Sequence, residues 1–209
     1  MIGEPIEDDK INTIIDENEA YKFSRPSHIT LLSLNEVGKK NIYKIVSDSH
    51  TVHFYNKDAR ILKSFLENHR EGILVGSSCV NGEIFDIAHK KSYEELLKAM
   101  KFYDYIEIQP LELYEVLNEG KEISQTRYEI KETVMTIIKA AKELDKLIVA
   151  TGDVHHLTKQ DKIFREVYIS APMVGGGVHP LVNCKNLPSF HFRSTEEMLK
   201  DFEFLGEEF

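Results

Sequence analysis

Four short, nearly continuous apolar segments recur along the chain. They span residues 29–34, 73–78, 103–109 and 147–152. Runs of this length with few polar interruptions are typical of strands that are buried on both faces of a parallel sheet. We therefore predict four strands at these positions.

Between these segments, apolar residues recur at helical spacing, and capping side chains mark where helices begin. The longest apolar stripe runs from residue 120 to residue 144. Asn35 can accept a hydrogen bond from the first turn of a further helix. Three capping boxes complete the pattern, each with a Ser or Thr followed three residues later by an acidic residue: Ser92 with Glu95, Thr158 with Asp161, and Ser194 with Glu197.

The alternation of strands and helices indicates an α/β fold with a parallel sheet or barrel. A closed barrel of this type needs about seven or eight strands, whereas four are predicted here. The pattern therefore suits part of a larger barrel, and an open four-stranded sheet is the alternative. We assign residues 24–209 to this fold and the mostly polar residues 1–23 to a lead-in or linker. The glycine run at residues 175–177 is predicted to be a surface loop.

Composition narrows the functional classes. The chain has 209 residues, of which 42% are hydrophobic and 29% charged, and this suits one globular domain. Its net charge of −9 argues against direct binding to a phosphate backbone, which requires clustered Lys and Arg, so any role with DNA is expected to be indirect. The chain has two cysteines, no apolar run of about 20 residues and no signal-peptide pattern. We expect a cytoplasmic protein with reduced thiols and no membrane association.

The sharpest local motif follows the fourth apolar segment, where Gly152 precedes Asp153 and His155. Residues two apart on an extended chain face the same side, about 6.5 to 7 Å apart along it, so this carboxylate and imidazole could bind metal ions together. The carboxyl ends of strands are also where the active sites of α/β barrels assemble. In the alternative interpretation, Asp153 caps the next segment and His155 is only solvated. His156 is expected to point away.

Other candidate ligands are less regular. Cys79 follows the second apolar segment, where a thiolate would be a soft ligand for zinc; the alternative is a small buried hydrophobic residue. His28 lies at the start of the first predicted strand, which in a parallel sheet is the end opposite the expected metal site. Glu107, near the end of the third strand, is a candidate carboxylate or a solvated strand residue. The remaining histidines are predicted to be surface or capping residues: His50, His53, His69, His89, His179 and His191.

Five segments together resemble the PHP domain of PolC-type DNA polymerase III alpha subunits, in particular the C-terminal half of that domain. In chain order they are residues 25–55, 71–86, 102–110, 147–170 and 187–208. The PHP domain of this family is a distorted barrel with metal ions at its mouth. The resemblance therefore implies a partial, four-stranded, distorted TIM-like barrel with parallel strands and flanking helices.

The resemblance also assigns metal ligands residue by residue. The histidine of the family's P-x-H motif corresponds to His28, the cysteine of its S-x-C motif to Cys79, and its D-x-H pair to Asp153 and His155. These residues imply bound zinc or manganese, with magnesium as a further option. The family's opening H-x-H motif, a following histidine and a glutamate have no counterpart in this sequence. Part of the family's ligand set is therefore absent.

Because the ligand set is incomplete, the resemblance implies a metal-binding scaffold of a replicative DNA polymerase that is not catalytic by itself. Its expected partners are the remainder of the polymerase, including the missing half of the PHP domain, and self-association through an exposed sheet edge is a further option. The competing hypothesis is an enzyme centred on Asp153 and His155, either a metal-dependent phosphoesterase or a 3′–5′ exonuclease. That hypothesis predicts an H-x-H motif, and its absence favours the scaffold.

Overall fold

The four predicted strands are present and form one sheet. The computed structural model describes residues 2–3, 22, 25–56, 58–117, 123–173, 176–184 and 187–206. The strands of this sheet, in spatial order, are β3 (Thr30–Ser33), β6 (Ile73–Gly76), β7 (Tyr105–Ile108) and β8 (Leu147–Ala150). Two small antiparallel sheets are formed by β1 (Ile2–Gly3) with β2 (Pro26–Ser27), and by β4 (Phe54–Tyr55) with β5 (Asp58–Ala59). The described residues thus form a partial barrel sheet that does not close.

The helices follow the predicted pattern. The α-helices are α1 (Glu36–Thr51), α2 (Lys63–Asn68), α3 (Glu83–Lys90), α4 (Tyr93–Met100), α5 (Ile123–Glu143), α6 (Lys162–Ser170) and α7 (Thr195–Asp201), and 3₁₀ segments cover Leu111–Leu117, Lys159–Asp161 and Glu203–Leu205. Asn35 caps α1 by accepting a hydrogen bond from the Gly38 N–H at 2.9 Å. The predicted capping boxes form at Ser92, Thr158 and Ser194. No helix among the described residues is both long and apolar enough to cross a membrane.

The predicted lead-in, residues 1–23, lies outside the described residues except for Ile2–Gly3 and Lys22. The boundary at residue 24 therefore stays a prediction. The predicted glycine loop is described from Gly176 onward, where Gly176 and Gly177 have φ angles of 89° and 100°. Glycine adopts this left-handed region without strain, as expected for a loop.

One strand runs against the predicted direction. β3 is antiparallel to β6, with Thr30 opposite Gly76 and Ser33 opposite Ile73, whereas β6 and β7 are parallel. A parallel neighbour is reached by a crossover that returns the chain once over the sheet. The connection between β3 and β6 instead contains α1, the β4–β5 pair and α2, and the extra reversal brings β6 back in the opposite direction. The α/β class and the mostly parallel sheet are confirmed, but the parallel direction was wrong for β3.

The chain divides into two compact units. Unit 1 comprises Met1–Ile106 and Ala140–Leu147, and unit 2 comprises Glu107–Lys139 and Ile148–Phe209. Fully buried side chains of unit 1 include those of Ile45, Leu66, Val75, Leu96, Met100 and Tyr103. A buried cluster of unit 2 consists of Leu113, Ile169, Leu187 and Phe190. The apolar stripe predicted for α5 is buried at Ile130, Val134, Ile137 and Ile138.

Candidate metal-binding site

His28 and Cys79 lie side by side in unit 1. The Nδ1 atom of His28 is 3.2 Å from the Sγ atom of Cys79, although the two residues are 51 positions apart in the chain. Both residues are half-buried. The fold therefore brings together an imidazole and a thiol that only the family resemblance had connected.

The loop after β6 holds Cys79 in place. The Gly82 N–H donates to the Cys79 carbonyl at 2.7 Å, and Ser78 has a left-handed φ of 63°. A Cβ atom on Gly82 would lie 2.2 Å from a carbonyl oxygen of the same loop, so only glycine fits there. His28 is tied to this loop because its N–H donates to the Asn81 carbonyl at 2.9 Å. Backbone contacts thus fix both members of the pair.

The antiparallel direction of β3 explains why His28 takes part in this pair. β3 begins beside the end of β6, since Thr30 lies opposite Gly76. His28 precedes β3 directly and is therefore next to the segment after β6 that carries Cys79. His28 was expected at the opposite end of the sheet. That expectation was wrong because it assumed a parallel first strand.

A buried ion pair begins α3, directly after Gly82. Glu83 is 5% exposed, and its two carboxylate oxygens accept hydrogen bonds from the Lys63 ammonium at 2.5 and 2.6 Å. The buried Tyr103 hydroxyl donates to the same carboxylate at 2.8 Å. Burial and the charge of Glu83 raise the pKa of Tyr103, so its hydroxyl keeps its proton and remains a donor. This network was not predicted, because no sequence spacing relates the three positions.

The D-x-H pair lies in unit 2. The Nε2 atom of His155 is 3.5 Å from the Oδ1 atom of Asp153, and these side chains are 41% and 29% exposed. β8 ends at Ala150, and Asp153 has a left-handed φ of 44°. The two side chains are close, as the motif predicts, but a turn brings them together and not the alternation of an extended strand.

Phe190 holds the turn that carries Asp153 and His155 by backbone hydrogen bonds. The Phe190 carbonyl accepts hydrogen bonds from the N–H groups of His155 at 2.8 Å and His156 at 3.2 Å. Its ring meets the His155 ring edge to face, with the centroids 5.3 Å apart. The Arg165 guanidinium lies over the same ring, with its Cζ atom 4.8 Å from the centroid. Phe190 therefore positions both a candidate ligand and a neighbouring cation, a role that the sequence analysis missed.

A cavity of about 440 Å³ opens beside His155, and His156 and Arg165 also line it. The orientation expected for His156, away from Asp153 and His155, stays a prediction. Desolvation, and next the positive charge of Arg165, lower the pKa of His155, while Asp153 acts in the opposite direction. A lowered pKa favours the neutral imidazole, which is the form that binds metal ions.

Both pairs fit a metal ion by donor type and by spacing. A tetrahedral zinc ion places a thiolate sulfur and an imidazole nitrogen about 3.5 Å apart, and the Cys79 Sγ to His28 Nδ1 distance is 3.2 Å. For an imidazole nitrogen and a carboxylate oxygen the corresponding separation is about 3.4 Å, and the His155 to Asp153 distance is 3.5 Å. In the part of the chain that is described, no group of three or more His, Cys, Asp or Glu side chains is arranged to hold a metal. Each pair thus offers two donors.

Glu107, His53 and His191, which the sequence also singled out, lie in the folded chain without a metal-binding group of three or more described side chains. Glu107 is half-buried within β7 and joins no metal-binding group of described residues. His53 and His191 are only 9% and 4% exposed, so of the two roles predicted for them the surface position was wrong. His53 pairs with the Asp48 carboxylate, and the Nδ1 atom of His191 is 3.0 Å from the Ser189 hydroxyl. Tertiary packing, which their spacing does not reveal, accounts for their burial.

Comparison with known proteins adds an independent line of evidence. The PHP domain family model matches residues 6–110. Over 200 residues the chain is 46% identical to the PolC-type DNA polymerase III of Bacillus subtilis, 46% identical to that of Halalkalibacterium halodurans and 44% identical to that of Pediococcus pentosaceus. These alignments cover 96% of the chain and 14% of each relative, so the chain spans only a small part of their length. The chain belongs to the PHP domain family.

Proposed function

We propose that the chain is a metal-binding PHP module of a PolC-type replicative DNA polymerase and serves DNA replication in the cytoplasm. One observation carries the proposal. Within each of two pairs, His28 with Cys79 and Asp153 with His155, the two side chains have the spacing of neighbouring ligands on a metal ion. Relatives with 40–46% identity are PolC-type polymerases, which supports the replicative context. The role proposed for the module is architectural, because each of the two described pairs supplies only two metal ligands.

Zinc or manganese is the proposed metal. A thiolate and imidazoles are donors that favour zinc, whereas magnesium prefers a shell of oxygen ligands. A bound ion of this kind supplies Lewis acidity and lowers the pKa of a bound water. The contribution of the chain is to hold the donors: the Cys79 loop fixes the thiol, and Phe190 orients His155.

Metal content tests the ligand assignment. We expect the purified chain to retain zinc or manganese. Cys79→Ser and Asp153→Asn should each weaken metal binding at their own pair by more than the roughly 10- to 100-fold that loss of an outer-shell partner costs. Cys184→Ser is the matched control, because Cys184 is a thiol packed against the apolar cluster of unit 2. Elemental analysis and competition with a chromogenic chelator measure the effect. Metal binding that is equal in Cys79→Ser, Asp153→Asn and the parent chain would refute the assignment.

A second function is favoured by the cavity beside the D-x-H pair. A metal-dependent phosphoesterase or 3′–5′ exonuclease needs space for a phosphate ester next to its metal ligands, and the cavity of about 440 Å³ lined by His155 provides it. Asp153 and His155 would hold the ion there. This function predicts that the chain hydrolyses a phosphodiester in the presence of Mn²⁺ and that His155→Ala abolishes the activity. His50→Ala is the control, because His50 is an exposed histidine of unit 1. No turnover by the parent chain would leave the architectural role.

The proposed partner of the module is the remainder of the polymerase chain, with DNA contacted only indirectly. Large exposed apolar patches mark protein interfaces, and α6 presents four large apolar side chains that are 60–71% exposed: Ile163, Phe164, Val167 and Tyr168. β8 ends the strand order of the sheet, and Leu147 within it is 68% exposed. Self-association through this sheet edge is the alternative.

A further inference from the structure

We infer that Glu83 is a positioning residue for the pair formed by His28 and Cys79. Its carboxylate, held by the Lys63 ammonium and the Tyr103 hydroxyl, fixes the end of the loop that carries the thiol. The inference rests on the proposed function of this pair as metal ligands. All five residues belong to unit 1.

Three chain segments meet at the Glu83 carboxylate. Glu83 is the first residue of α3, and Lys63 is the first residue of α2. Tyr103 donates to the same carboxylate from the segment before β7. The Lys63 Nζ atom also lies 5.0 Å from the centroid of the Phe102 ring. Hydrogen bonds with a charged member are shorter and stronger than neutral ones, so the start of α3 is held firmly by its two neighbours.

The start of α3 needs this anchor because its N-cap residue is Gly82. A Ser, Thr, Asp or Asn at the N-cap holds the first turn of a helix through its own side chain. Ser92 does so for α4, where it accepts a hydrogen bond from the Glu95 N–H. Glycine has no side chain with which to do the same. The Glu83 carboxylate therefore takes over the anchoring of α3.

Gly82 transmits the position of Glu83 to both members of the pair. Its N–H donates to the Cys79 carbonyl at 2.7 Å, and its backbone forms an isolated parallel bridge with that of His28. A Cβ atom at Gly82 would lie 2.2 Å from the Ser77 carbonyl oxygen and 2.9 Å from that of Cys79, so the loop closes tightly around it. A shift of Glu83 therefore moves the backbone that sets the distance between imidazole and thiol.

The network contributes orientation as well as stability. A buried ion pair is often no more stabilising than well-packed apolar residues of similar volume. Its hydrogen bonds are directional, however, and the ammonium of Lys63 uses two of its three N–H donors on the two Glu83 oxygens. Rotation or translation of the carboxylate would lengthen at least one of these bonds. The two contributions can therefore be separated by substitution.

Cobalt(II) binding tests the inference. In the Cys184→Ser background Cys79 is the one remaining cysteine, so the sulfur-to-cobalt charge-transfer absorption reports this thiol alone. We expect Glu83→Gln to weaken the binding that gives this absorption by about tenfold, as the loss of an outer-shell partner does. Asp86→Asn is the matched control, because it makes the same change of carboxylate to amide in α3 at a residue that pairs with Lys90.

A double variant separates positioning from stability. Lys63→Met with Glu83→Gln removes the buried charge and should recover stability relative to Lys63→Met alone. It still lacks both bonds from the ammonium, so its cobalt affinity should stay about tenfold below that of the parent. Ile45→Ala removes buried apolar atoms of α1 and should lower stability but keep the parent affinity. Recovery of affinity together with stability in the double variant, or an equal loss of affinity in Ile45→Ala, would overturn the positioning role.

Amide hydrogen exchange of the metal-free chain distinguishes failure of this inference from failure of the proposed metal site. The two reporters are the N–H of Gly82, bonded to the Cys79 carbonyl, and the N–H of His28, bonded to the Asn81 carbonyl. Glu83→Gln should speed exchange at both by about tenfold, because a hydrogen bond to a charged group is lost from the anchor. Asp86→Asn should leave both rates unchanged.

The two failures give different results. If the parent binds no cobalt but these amides respond to Glu83→Gln, the metal assignment is wrong and the positioning of the imidazole and thiol stands. If the exchange rates in Glu83→Gln equal those of the parent, the positioning role is refuted whether or not the parent binds metal.

Discussion

Replacing Lys63 with methionine is expected to lower the free energy of unfolding by about 3–5 kcal/mol. Methionine keeps the apolar stem of lysine but removes the ammonium that donates to both Glu83 oxygens. Glu83 is 5% exposed and would retain the Tyr103 hydroxyl but no opposite charge. A buried carboxylate without a cation is costly, because the folded protein cannot replace its hydration. Chemical denaturation at neutral pH measures the loss.

Lys90→Met is the matched control for this substitution. Lys90 pairs with Asp86 where the two side chains are 53% and 32% exposed, so its loss should change stability by less than about 1 kcal/mol. The double variant Lys63→Met with Glu83→Gln should recover part of the lost stability, since it removes the buried charge. A cost for Lys63→Met as small as that for Lys90→Met would contradict the buried ion pair.

A second large effect is expected for Gly38→Ala in α1. A Cβ atom at this position would lie 1.8 Å from the Gly72 carbonyl oxygen, and the same carbonyl accepts a hydrogen bond from the Leu34 N–H at 2.8 Å. This hydrogen bond restrains the Gly72 carbonyl, so moving the carbonyl away from a new Cβ atom would weaken the bond. We expect a net loss of about 1–3 kcal/mol or more, measured by thermal denaturation.

This prediction has the opposite sign to that of helix propensity alone. Within a helix, alanine is favoured over glycine by about 1 kcal/mol, so a stabilised Gly38→Ala variant would show that the close contact with Gly72 is absent. Gly152→Ala is the control. A Cβ atom there would meet its nearest neighbour, a terminal methyl of Val154, at 3.4 Å, which is ordinary contact.

The elements that the sequence predicts well are those determined by neighbouring residues. Continuous apolar runs located the four strands, and the side chains of Ser92, Thr158 and Ser194 located the starts of helical segments because the capping hydrogen bonds join residues three positions apart. The direction of β3 could not be predicted in this way. It depends on how many times the connection to β6 reverses, and no local pattern encodes that number.

In the candidate site too, contacts between residues close in sequence could be predicted, whereas contacts between distant segments could not. The D-x-H motif identified Asp153 and His155 because both donors lie in one turn. The contact of His28 with Cys79 depends on strand direction and was expected only from the family resemblance. The contacts of Phe190 with His155 and with Arg165 join residues from three separate segments, so only the folded chain reveals them.

The contact between the His28 imidazole and the Cys79 sulfur depends on the register in which β3 pairs with β6, with Thr30 opposite Gly76. Each residue along a strand advances the chain by about 3.3 Å and inverts the side-chain direction. A slip of β3 by one residue would carry His28 away from Cys79 and turn its ring to the opposite face. Substitutions inside β3 that touch neither donor would then disable the pair, with every ligand residue still in the sequence.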